Sequence, residues 1–174
     1  MPLVLNGTTG VQDNSGAFVA GTAVASTSGT SIDFTSIPSW VKRITVMLDV
    51  VSTNGTSLVQ VQLGTSAGIQ TTGYASGAWQ ANITISNSTT GLLVVGSGAA
   101  SNTLTGHLAI TLMDSSTGKW IASGVAALVP PIGSGNAEVF AGGKTLSGTL
   151  DRIRITTVNG TDTFDAGSIN ILYE

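Results

Sequence analysis

Cysteine is absent from the chain, so no disulfide framework, thiolate metal centre or thiol nucleophile is open to it. Charge is nearly as scarce: Asp, Glu, Lys and Arg supply 9% of residues, against about a quarter in an ordinary domain. Six Lys and Arg in total, with Lys42/Arg43 and Arg152/Arg154 the only close groupings, leave no electrostatic footprint for a phosphate backbone, which argues against nucleic-acid binding. Histidine occurs once, as His107 between Gly106 and Leu108, and reads as an ordinary strand residue rather than a catalytic base. No G-x-S-x-G elbow leads from a strand into a helix, and neither Gly64-Thr65-Ser66-Ala67-Gly68 nor Gly96-Ser97-Gly98 is followed by the Lys-Ser/Thr of a phosphate loop. The apolar runs are too short to span a bilayer. The opening MPLVLNGTTG lacks the basic and apolar regions of a signal peptide, so neither membrane insertion nor classical secretion is expected.

What the chain does have is glycine, 23 in 174 residues, with abundant Ser, Thr and Asn around short apolar stretches, and a mean hydropathy of +0.36. Two-residue alternation and β-branched enrichment recur, and no window keeps helical spacing without interruption, so the class is all-β. About ten strands are expected: 19–25, 31–34, 41–51, 58–63, 82–86, 92–95, 106–113, 119–126, 152–158 and 167–173. That number suits an antiparallel β-sandwich or jelly roll spanning residues 18–174, preceded by a short N-terminal arm, 1–17, that a partner or another subunit would order. Asn54-Gly55 and Asn159-Gly160 read as tight hairpin turns, and Asp114 to Gly118 as a hairpin with a longer loop. Residues 65–78 read as a long loop. A faint internal echo pairs Trp40 to Thr56 with Leu150 to Thr161, too isolated for a stacked repeat.

Among the aromatics, Trp40 and Trp120 fall in strands and are expected in the core. Tyr74 and Trp79 fall in or beside the long loop, where they are candidates for ligand contact, such as stacking on a sugar, or for plugging the loop against the body or a neighbouring subunit. Asp162 and Asp165 are weak candidates for a metal ion and the remote candidates for a carboxylate pair, although turn formation accounts for them without either role. No cofactor is expected.

Leu3-Val4-Leu5-Asn6-Gly7-Thr8-Thr9-Gly10-Val11 resembles the N-terminal motif of many phage tail-fibre and virion structural proteins. The segments GTSIDFTSIPSWVKRITVMLDVVSTNGTS and LSGTLDRIRITTVNGTDTFDAGSINILYE resemble the terminal domain of phage tail-fibre-like proteins, notably at Ile37-Pro38-Ser39-Trp40 and Ile169 to Glu174. The resemblance implies a non-enzymatic β-sandwich at a virion extremity, in an extracellular particle assembled in the host cytoplasm. It implies a homo-oligomer, a homotrimer favoured, bound to other virion proteins through Leu3, Val4 and Leu5 and engaging a host surface glycan as an attachment protein. Capsid decoration or a head fibre is the alternative; a polysaccharide depolymerase is a remote one.

Overall fold

Alternation of apolar and polar side chains along a strand sends one set to each face, and a sheet with one apolar face must cover it. In the computed structural model, which describes residues 5–6, 10–11, 18–80, 84–100, 102–131 and 135–174, two antiparallel sheets do this for each other. The strands are β1 (Leu5–Asn6), β2 (Gly10–Val11), β3 (Val19–Ala20), β4 (Val24–Ala25), β5 (Ser31–Phe34), β6 (Arg43–Thr53), β7 (Val59–Thr65) and β8 (Gly68–Ile69). They continue with β9 (Tyr74–Gln80), β10 (Thr84–Ser88), β11 (Leu92–Leu93), β12 (Thr103–Asp114), β13 (Lys119–Val129), β14 (Asn136–Thr145), β15 (Arg152–Thr157) and β16 (Phe164–Tyr173). The large sheet runs β10-β9-β14-β13-β12-β6-β16-β3, with β4 also on β16. The small sheet runs β11-β7-β15-β5, with β8 on β7. Among the described residues β1 and β2 pair only with each other, Leu5 opposite Val11. The β-sandwich is as expected.

Between the sheets lies one continuous core, with Ile44, Val46, Leu108, Ile110, Phe140 and Ile169 from the large sheet and Val61, Leu63, Ile153 and Ile155 from the small one. Trp120 is buried there as expected; Trp40 is half-buried, its ring 5.9 Å from that of Tyr173. Every residue of β7 is buried, so its polar positions need partners. Gln62 donates to the Thr90 carbonyl at 2.9 Å, and Ser88 and Thr90 donate to the Gln60 amide oxygen.

Several expectations are corrected. Residues 65–78 are not a loop: β8 and most of β9 occupy them. β14 was invisible in the sequence, and the stretch 19–25 is two short strands with a break between. Asn54-Gly55 and Asn159-Gly160 are not hairpins, because β6 and β16 lie in the large sheet and β7 and β15 in the small one. Both segments instead cross from one sheet to the other at the same end of the sandwich. They interlock there: Asn159 N–H donates to Ser57 Oγ at 3.0 Å, and Thr163 N–H to Asn54 Oδ1 at 2.9 Å. The sequence echo is therefore two crossovers in opposite senses. Asp114 to Gly118 does close a hairpin, between β12 and β13.

The centre of the large sheet carries a distortion. Asp49 and Val50 bulge out of β6 where Leu104 pairs with Val51 but Gly106 with Leu48. Val50 takes φ 54°, a left-handed conformation that costs a β-branched residue about 1–2 kcal/mol. Its N–H donates to Thr105 Oγ1 at 2.9 Å. Opposite, Gly167 has φ 90°, and a Cβ there would lie 2.4 Å from the Val50 carbonyl oxygen, so only glycine fits.

Candidate binding surface

Tyr74 and Trp79 sit five positions apart on β9, an odd separation that sends them to opposite faces. Tyr74 points inward and is buried; its hydroxyl accepts from Leu63 N–H at 2.6 Å and donates to the Gln70 carbonyl at 2.8 Å. Burial pushes its phenol up to about 12, only partly offset by the Leu63 hydrogen bond. The Lys144 ammonium lies 5.4 Å from the centre of the Tyr74 ring, and desolvation lowers the lysine's pKa. Tyr74 is thus an interior peg between the sheets, not a ligand platform. Trp79 points outward and is 49% exposed.

Trp79 belongs to a row that the strand register draws straight across the outer face of the large sheet. Ile85 is opposite Trp79, Trp79 opposite Val139, Val139 opposite Val125, Val125 opposite His107 and His107 opposite Met47. Ile85, Val125 and Val139 are 72%, 51% and 48% exposed, values that belong to side chains nothing in the described structure covers. The next row is made of small residues, Gly77, Ala141, Ser123, Ala109 and Thr45, in the same cross-strand alignment. His107, read as a plain strand residue, is one: exposed, on β12, facing outward.

Asp162 and Asp165 are not a ligand pair. Asp162 Oδ2 accepts from Ser57 N–H at 2.9 Å and its Oδ1 from the Asn159 side-chain amide at 2.6 Å, so both oxygens serve the interlocked crossovers. Those bonds, that from Asn159 foremost, hold its carboxyl below the usual range. Asp165 stands exposed on β16 beside buried Phe164. Of the anchoring candidates, Leu3 and Val4 lie outside the described residues, and Leu5 is placed by its backbone in β1.

Two features were not legible in the sequence. Glu138 on β14 is fully buried; one carboxyl oxygen accepts from Gly96 N–H at 2.7 Å and the other has no partner among the described residues. Desolvation raises its pKa, with the Gly96 bond opposing. At the β12–β13 hairpin end, a half-open cavity of about 330 Å³ has Trp120 in its wall and a rim of Ser39, Ser115, Thr117 and Ser147 beside Lys42. Asp114 shapes that rim by accepting from the Ser116 amide and hydroxyl at 2.8 and 2.7 Å and from the Thr117 hydroxyl at 2.9 Å. The segment Gly64 to Gly68 merely turns β7 into β8.

No protein-family model matches the chain, and neither does any curated protein or solved structure.

Proposed function

We propose that the protein is a non-enzymatic structural component of a bacteriophage particle, a tail-fibre or fibre-tip adhesin through which the particle attaches to a host surface. The observation that carries this reading is the division of the chain, among the described residues, into a sandwich and an N-terminal β1–β2 pair that joins neither sheet. The pair falls within Leu3 to Val11, the stretch that resembles the N-terminal motif of phage virion proteins, and suits an anchor to other virion proteins. The sandwich supplies the displayed body. Its surface of hydroxyls, amides and small side chains suits contact with neutral glycans and with copies of itself, and weak single sites gain from several copies engaging together. The three-fold assembly implied by the resemblance would provide that multivalency.

The broad outer face of the large sheet favours a second reading, a capsid-decorating or head-fibre protein packed side by side on a shell. Copy number in purified particles, measured by mass spectrometry against the major capsid protein, separates the two. A few copies at the tail support the adhesin; hundreds on the shell make it a decoration protein; absence from the particle overturns both.

A further inference from the structure

We infer that the outer face of the large sheet is a contact between two copies of this chain, laid face to face about a two-fold axis that runs across the strands. The inference goes beyond the virion reading and does not depend on it. It also departs from the three-fold assembly that the resemblance implies.

Area is the first argument. Seven strands from β10 to β16 at about 4.8 Å spacing make the face about 29 Å wide, and the outward positions of β13 from Ile121 to Ala127, level with Arg43 to Asp49 on β6, extend about 20 Å. The product, roughly 580 Å² on each copy or about 1,150 Å² in all, clears the ~1,000 Å² expected of a biological interface.

Chemistry is the second. Between Arg43 and Asp49 the face holds no charged side chain; Arg43 and Lys119 stand on one side of that stretch and Asp49, in the bulge of β6, on the other. An apolar centre inside a charged rim is how protein–protein contacts are built, whereas a nucleic acid or an anionic membrane would require cations in the middle.

Self-complementarity is the third, and it selects a second copy. The ridge of Trp79, Val139 and Val125 runs beside the trough of Gly77, Ala141 and Ser123, so a copy turned end for end can set its ridge into that trough. Along β6 the outward residues read Arg43, Thr45, Met47, Asp49. An axis crossing β6 between Thr45 and Met47 brings Arg43 of one copy opposite Asp49 of the other, twice. Arg43 already contacts Glu174 at 3.2 Å, and at 51% exposure it retains donors for a second carboxylate.

Sedimentation equilibrium of the full chain tests this. The expected result is a dimer that Val125→Lys or Val139→Lys weakens at least ~100-fold, because each would bury an unpaired ammonium, while Val158→Lys, on an exposed valine off this face, changes nothing. Asp49→Arg should weaken the dimer and the double variant Arg43→Asp/Asp49→Arg restore it; these surface changes keep the test decisive if a valine variant fails to fold. A wild type that is monomeric or trimeric, or a dimer indifferent to these substitutions, overturns the inference. Each of those outcomes leaves the copy-number test of the virion reading untouched.

Discussion

Replacing Tyr74 by Phe deletes one oxygen from a site where the backbone depends on it. Leu63 is fully buried, and its N–H donates to the Tyr74 hydroxyl at 2.6 Å. An orphaned buried donor costs about 1–3 kcal/mol, whereas the Gln70 carbonyl is half-exposed and can turn to water. The expected loss near pH 8 is therefore about 2 kcal/mol, a sizeable share of the ~5–15 kcal/mol that holds a domain together. The same burial makes the effect depend on pH. The phenol ionises near 10 in the unfolded chain and at about 12 in the folded one, so between those values the unfolded state binds fewer protons and stability falls as pH rises. By pH 11 the wild type should have lost about 1.4 kcal/mol that the variant, with no phenol here, does not lose. The destabilisation caused by Tyr74→Phe should thus shrink from about 2 to about 0.6 kcal/mol between pH 8 and pH 11. Other alkaline titrations, Lys144 among them, largely cancel in the comparison. Urea unfolding of both proteins at the two pH values measures it, with phenolate absorbance in a Tyr173→Phe background to follow Tyr74 alone. A difference that stays constant with pH would refute the argument that burial governs this phenol.

Glu138 gives the acid-side counterpart. Its folded pKa lies above the unfolded value, so its own contribution to stability is fully present below the unfolded pKa and is lost as pH rises through the folded pKa. Glu138→Gln should flatten that fall and be the more stable protein at neutral pH; a variant less stable at both pH 4 and pH 7 in chemical denaturation sinks the idea. Val50→Asn should raise stability by about 1 kcal/mol, since asparagine tolerates a φ of 54° and the valine, 46% exposed, gives up little packing; a lower thermal midpoint would contradict it. Gly167→Ala should cost more than 2 kcal/mol, from the positive φ and the 2.4 Å approach to the Val50 carbonyl combined, and a near-neutral result in urea unfolding would show that the bulge yields.

The strands legible in the sequence were those whose two faces differ in polarity or whose residues are β-branched: β6, β12, β13 and β15. β14 reads NAEVFAGGKT and β9 reads YASGAWQ, with alanine and glycine where a strand usually carries larger groups. They form because their neighbours in the sheet are equally small, Ala141 opposite Gly77 and Ser123, which is tertiary information. The Asn-Gly segments were located correctly and misassigned, because local turn chemistry does not say which sheet the next strand joins. The same limit applied to the site. Trp79 could be singled out, but its row is assembled from strands far apart in sequence. With β9 unrecognised, the odd spacing that parts Trp79 from Tyr74 carried no meaning.

The position of β16 bears on how the chain reaches this state. It pairs along its length with β6, more than a hundred residues earlier, and carries β3 and β4 on its other side. Until it arrives, β6 presents an open edge of backbone donors and acceptors to any other strand in reach. Closure over that sequence distance is slow, so productive folding is a race between β16 and pairing with another molecule, and dilution during refolding should favour the native product.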